Sequence, residues 1–176
     1  MKFTPLGLEG IVLVEPEPQR DERGSFARTY CRREFEEHGL DPSLAQCSIS
    51  FNIRAGTLRG LHWQQAPHGE HKLVRCTRGA IFDVAVDVRK DAPTYCRWVS
   101  AELNAENGHA LYLSPGFAHG FLTLRDESEV LYHISEFFHP ESARGARCND
   151  PAFGILWPGT PLIISERDRA YPDFRP

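Results

Sequence analysis

Residues 56–64 read GTLRGLHWQ, and Arg59 and His62 stand three apart in a run that otherwise resembles a buried strand. An imidazole can take a proton near neutral pH and a guanidinium can grip an anion with a fork of donors. Both are costly to bury, so their presence in an apolar run needs a reason. Strict alternation puts His62 on a face with Leu58 and Gly60, and Arg59 on the other. A glycine inside a strand often marks a β-bulge, and one extra residue there would turn both side chains to the same side. The plainer reading leaves Arg59 at a rim and His62 as a hydrogen-bonded core histidine.

Three further stretches place polar groups among apolar ones. In EVLYHISEF, Tyr132 shares a face with Val130 and Ile134, either as a core tyrosine with its hydroxyl satisfied or as a proton donor held in a barrel. In HKLVRCTRG, Lys72 shares a face with Val74 and Cys76. It is the more informative residue, because an ammonium resists burial unless something anionic meets it. In SPGFAHGF a tight turn at Pro115-Gly116 delivers His119 at the start of a strand, an arrangement similar to the second metal motif of cupin barrels. Such a site needs two or three imidazoles and a carboxylate. The position two after His62 is Gln64, and His68 and His71 fall in a polar turn that reads as solvated, so no metal is expected.

The elements that must position these groups are mostly strands. Ile11–Glu15, Gln46–Asn52, Thr57–Gln64, Lys72–Arg78, Ala80–Arg89, Arg97–Leu103, Ala110–Leu113, Gly120–Thr123 and Glu129–Phe137 are short apolar runs broken by turn residues. AIFDVAVDV is the clearest, its odd and even positions forming two distinct sets. A helix is expected over Cys31–His38 with Gly39 as its stop. This spacing indicates an antiparallel sandwich or barrel. Pro158 to Pro176 reads as an irregular tail wrapped on it.

Composition narrows the function. The 176 residues, 41% hydrophobic and 25% charged, suit one soluble domain, 1–176. The net charge of −4 is scattered, which argues against nucleic acid and membrane partners. Five cysteines without a Cys-x-x-Cys spacing read as free thiols of a cytosolic protein. The N-terminal apolar run, Ile11 to Val14, is too short for a signal peptide or a membrane span, so a cytoplasmic location is expected.

In order, DERGSF, GTLRGLHWQ, HKLVRCTRGAIFDVAVDVRK, SPGFAHGFLTL, EVLYHIS, CNDPAFGILWP and ISERD together resemble the dTDP-4-dehydrorhamnose 3,5-epimerase family, from about Gly7 to Pro172. The resemblance implies an all-β, cupin-type antiparallel jelly-roll, a homodimer, and an isomerase working without metal or organic cofactor. Its substrate is a nucleotide-diphosphate 4-keto-6-deoxysugar, inverted at C3 and C5. Carried over by position, the general base falls on His62, the general acid on Tyr132, the orienting aspartate on Asp168 and the site lysine on Lys72. The implied substrate-binding set is Arg23, Phe26, Arg28, Gln46, Arg59, His119, Phe138 and Arg167.

Four positions depart from the rhamnose-pathway pattern. Arg28 and Ala143 stand where acidic residues are usual, Phe138 replaces a base-stacking tyrosine, and Arg167 replaces a lysine. The stretch around Gln46 also carries one extra residue before Gly56. These changes keep open a C3-only or C5-only epimerase, or a CDP- or GDP-linked substrate. A metal-dependent cupin oxygenase or isomerase, and a non-catalytic sugar-nucleotide binder, are the rivals from other classes.

Overall fold

The computed structural model describes residues 1–175; Pro176, the end of the expected tail, lies outside them. The chain begins with β1 (Lys2–Pro5), β2 (Ile11–Glu15) and a small hairpin of β3 (Gln19–Asp21) and β4 (Gly24–Phe26). Helix α1 (Arg32–Glu37) leads into β5 (Gln46–Asn52), β6 (Thr57–Gln64), β7 (Lys72–Arg78) and β8 (Ala80–Asp87). There follow β9 (Trp98–Asn104), β10 (Ala110–Leu113), β11 (Phe117–Thr123) and β12 (Ser128–Ile134). The chain closes with β13 (Ala143–Gly145), β14 (Ile163–Ile164) and the short helix α2 (Glu166–Arg169).

Two sheets face one another. One has the order β1-β2-β10-β7-β12-β5, the other β13-β6-β11-β8-β9, with β14 laid against β6. Every pairing is antiparallel except β14 on β6. Successive strands cross repeatedly between the sheets, which makes this the expected jelly-roll. Ile11, Val74, Ile81, Leu111, Phe121 and Val130, from both sheets, meet in the core between them.

The two residue sets of β8 show how the sequence builds the layers. Ile81 and Ala85 face this inner core, while Val84 and Val86 join a second cluster with Ala146, Phe153, Trp157 and Phe174. Sheet residues buried on both faces read as near-continuous apolar runs. The segment from Ala146 to Trp157, joined by Phe174 of the tail, covers the outer face. Phe35 of α1 similarly covers the other sheet, packing edge-on to Phe3 and Tyr112.

The expected strands are present, and the helix agrees with the expected span once its flanking Cys31 and His38 are counted as caps. The short pieces β1, β3, β4, β13 and β14 carry too few residues to show a period. The tail is irregular as expected apart from two short pieces: β14, paired with Thr57 and Leu58, and α2, where Ser165 Oγ accepts from the Asp168 N–H at 3.1 Å. Strand β12 ends at Ile134, which leaves Phe138 in a loop. All five cysteines are free thiols, and no helix among the described residues is long and apolar enough to cross a membrane.

Candidate active site

The bulge in β6 is real and lies at Gly60. His62 pairs with His119 and Arg59 with Phe121, so two residues, Gly60 and Leu61, face Gly120 alone. Gly60 has φ +117°, and a Cβ there would lie 2.6 Å from Gly120 Cα. A Cβ on Gly120 would in turn lie 2.8 Å from the Arg59 carbonyl oxygen. Only glycine fits on either side of this crossing. The extra residue brings Arg59 and His62 into one cleft of about 420 Å³, which Lys72, His119 and Tyr132 also line.

The outer edge of β6 explains Asp168. β14 pairs with its first residues and β13 with residues from His62 to Gln64, which leaves the Gly60 N–H between them without a strand partner. Helix α2 brings the Asp168 carboxylate into that gap. Asp168 Oδ2 accepts from the Gly60 N–H at 3.2 Å, and Oδ1 accepts from His62 Nε2 at 2.7 Å. An ionised carboxylate only accepts, so the His62 proton sits on Nε2 and Nδ1 is left as the basic atom. Burial lowers the pKa of His62 below the ordinary histidine value, although Asp168 pulls it upward. Two-fifths of the side chain remains open to the cleft. The imidazole is therefore neutral at physiological pH and free to take a proton.

The opposite wall belongs to the other sheet. Lys72 projects from β7 and Tyr132 from β12, facing the β6 residues across the cleft. Lys72 Nζ lies 2.8 Å from Glu70 Oε1 and 3.5 Å from the His62 carbonyl oxygen. Burial, helped by the Asp83 charge, pushes the Tyr132 phenol well above its ordinary pKa, while the nearby Arg59 pulls it down. The phenol is thus a proton donor, with a cation beside it to stabilise the phenolate. A second lobe of about 530 Å³, lined by Ser50, Ile164 and Ser165, opens from the same Arg59, His62 and Tyr132.

The other expected residues divide into two groups. Gln46, His119, Phe138 and Arg167 all line the cleft, and Gln46 Oε1 accepts from the Phe138 N–H at 3.0 Å. Arg23, Phe26 and Arg28 do not line it. Arg23 is bonded to Asp21 on the exposed β3–β4 hairpin, Phe26 is 77% exposed, and Arg28 turns to Glu34. Sequence reasoning missed Glu70, which lies in a stretch that reads as a solvated turn. It also missed Asp83, which accepts from His119 Nε2 at 2.7 Å. The signal for Asp83 lay in the alternation of AIFDVAVDV, where a carboxylate shares a face with Ile81 and Ala85 and so requires a partner.

Comparison with known proteins settles the kinship. The family model described as dTDP-4-dehydrorhamnose 3,5-epimerase matches residues 5–176. The chain belongs to this family. It is 45% identical over 178 residues to a dTDP-4-dehydrorhamnose 3,5-epimerase of Methanothermobacter thermautotrophicus, covering 99% of this chain and 95% of that protein. The Sinorhizobium fredii enzyme of the same name is 44% identical over 175 residues, covering 99% and 90%. Among solved structures, the Bacillus anthracis dTDP-4-dehydrorhamnose 3,5-epimerase with TDP and pyrophosphate bound superposes with a TM-score of 0.95 at 38% identity, covering 98% of this chain and 99% of that one. Membership in the dTDP-4-dehydrorhamnose 3,5-epimerase family makes the protein an isomerase of the epimerase class with the cupin-type jelly-roll.

Proposed function

We propose that this chain, as one domain over 1–176, inverts C3 and C5 of dTDP-4-dehydro-6-deoxy-D-glucose to give dTDP-4-dehydro-L-rhamnose. The observation that carries the reading is a neutral His62, oriented by Asp168 on one sheet, facing the protonated Tyr132 on the other. In a 4-keto sugar both C3 and C5 adjoin the carbonyl, so their protons are weakly acidic. His62 Nδ1 removes one, and the electron pair moves to O4 as an enolate. Asp168 stabilises the imidazolium that forms. Lys72 stabilises the charge on O4, a contribution commonly worth ~3–4 kcal/mol per donor. Tyr132 then returns a proton to the opposite face, which inverts the carbon. His62 is left protonated and Tyr132 ionised, and both reset by exchange with solvent before the second carbon reacts.

Arg59 and Arg167 hold the diphosphate, His119 the sugar, and Phe138 stacks on the base with Gln46 fixing its backbone. No metal or organic cofactor is required for these steps. Arg23, Phe26 and Arg28 reach a substrate only if they enter the cleft of a second copy, which supports a homodimer. The exposed Ile49 and Phe51 on edge strand β5 give such a dimer an apolar seam. The free thiols suit a cytoplasmic enzyme.

Proton NMR of dTDP-4-keto-6-deoxyglucose with the enzyme in D₂O tests the reading. Deuterium is expected at both C3 and C5, and His62→Ala abolishes it. Label at one carbon identifies a single-site epimerase. No exchange from folded protein overturns the dTDP assignment, and CDP- and GDP-linked sugars are then the substrates to try.

A further inference from the structure

A second cluster of chemically capable side chains stands at the rim of the cleft. His68 lies in the loop between β6 and β7, and His139 and Glu141 lie in the segment after β12. One donor atom from each sits within 4.8 Å of the others. The two imidazoles stack with centroids 3.5 Å apart and planes 9° from parallel. His139 Nδ1 is 3.2 Å from Glu141 Oε1. Rings packed this closely require something that holds together the two chain segments that carry them.

Gln64 does so. This side chain, 4% exposed, accepts from the His139 N–H at 2.6 Å through Oε1 and donates to the His68 and Phe137 carbonyls at 3.1 Å each through Nε2. One buried amide thus fixes both backbones that carry the imidazoles. Gln64 occupies the position where a cupin metal site would want a histidine. Here it braces a different set of ligands while also lining the cleft.

We propose that His68, His139 and Glu141 form a binding site for a borderline divalent cation, zinc above all. Two imidazoles and a carboxylate are a recurrent zinc donor set, with water completing a tetrahedron. Calcium and magnesium prefer oxygen donors throughout and are poorly served. For both lone pairs to converge on one ion the stacked rings splay by side-chain rotation, which their partial exposure permits. Glu136 Oε1, 3.9 Å from His139 Nε2, stands where it can accept from the outer ring nitrogen once the inner one ligates. The bound ion staples the β6–β7 loop to the segment that carries Phe138. Under the epimerase reading, which this last point alone rests on, zinc therefore changes KM for the nucleotide sugar and leaves kcat unaltered.

The test is calorimetric titration of metal-stripped protein with zinc chloride, with thermal midpoints recorded alongside. One ion per chain with a raised midpoint is expected, and Co²⁺ should give the visible absorption of a tetrahedral N/O site. His68→Asn and His139→Ala should each abolish binding while preserving the circular dichroism spectrum, and Cys47→Ser, which removes an exposed thiol, should leave it intact. Stoichiometric binding that survives in the double variant H68N/H139A, or is lost instead with His62→Ala, overturns the site. So does an absence of binding at millimolar zinc. A zinc-dependent KM that persists in H68N/H139A overturns the coupling to the cleft, whatever the substrate proves to be.

Discussion

Two histidine–aspartate pairs lie side by side in this protein, and they are wired differently. His62 and His119 are register partners on β6 and β11, and each donates from Nε2 to an aspartate at 2.7 Å. Asp168 has both oxygens engaged, by His62 and by the Gly60 N–H. Asp83 is fully buried, its Oδ2 has no hydrogen-bond partner among the described residues, and burial pushes its carboxyl above the ordinary range against the pull of His119. The first pair is open to the cleft, whereas His119 is 5% exposed. The same two side chains at the same distance thus make a base with a stable counter-charge in one case. In the other they make a fixed polar group in the wall. What separates them is how many donors the carboxylate receives and how far the ring is open to the cleft.

This contrast is most sharply broken by matched substitutions. Asp168→Asn removes the charge and disturbs the His62 tautomer, and kcat should fall on the order of 10³–10⁴, the scale seen when an orienting carboxylate is lost from a Ser-His-Asp triad. Asp83→Asn should cost about tenfold or less, because no step needs His119 to gain a proton. Steady-state rates of C3 and C5 exchange for the two variants decide the matter. Equal losses would show that both pairs serve as bases.

The second donor to Asp168 can be tested through the bulge. Gly60→Ala adds a Cβ 2.6 Å from Gly120 Cα at a residue with φ +117°, so the β6–β11 crossing must open. Strain at a positive φ and overpacking each cost about 1–3 kcal/mol, so a loss of about 2–6 kcal/mol in urea unfolding is expected. Ala85, deep in the inner core on β8, has no such constraint. A Gly60→Ala protein of wild-type stability would show that the bulge is not needed to seat Asp168.

Much of this arrangement was legible before the structure. Period-2 runs marked the main strands because each buries at least one face in a long, regular stretch. Gly60 between Arg59 and His62 pointed to the bulge because glycine inside a strand signals close approach or a positive φ, and both hold here. Asp168 could be placed by family resemblance alone, since nothing local in ISERD says that a two-residue strand and a one-turn helix carry it to the edge of β6. The short pieces were hidden because they owe their structure to the body they dock on. Glu70 was hidden because its partner, Lys72, lies beyond a turn that reads as solvated, whereas the alternation of AIFDVAVDV showed that Asp83 needs a partner without showing that His119 on the neighbouring strand supplies it.

A smaller effect follows from the direction of the His62 shift. Its pKa lies below the ordinary 6.5, so the acid limb of kcat/KM should fall below pH 6.5. Asp168 raises that pKa through its hydrogen bond and charge, so in the residual activity of Asp168→Asn the limb should move to still lower pH. Asp83→Asn should leave the limb where it is. A limb that moves upward in Asp168→Asn would mean that the titrating group is not His62.

The smallest effect concerns stability, and it involves histidines outside either pair. Burial lowers the pKa of His71 and His133 as it does that of His62, and the Nδ1 of His133 is buried without a hydrogen-bond partner among the described residues. Each folded-state pKa is below the unfolded value, so the unfolded chain binds more protons in the interval between them, and stability rises with pH there. The contribution is fully present above pH 6.5 and is lost as pH falls from 6.5 through the folded values. Urea midpoints should therefore decline between pH 7 and pH 5.5, before the carboxylates titrate. His133→Leu should flatten part of that decline, since it removes a group that the folded state cannot charge cheaply. Unchanged slope in this variant would assign the decline to His62 and His71, whose carboxylate partners already offset part of the burial.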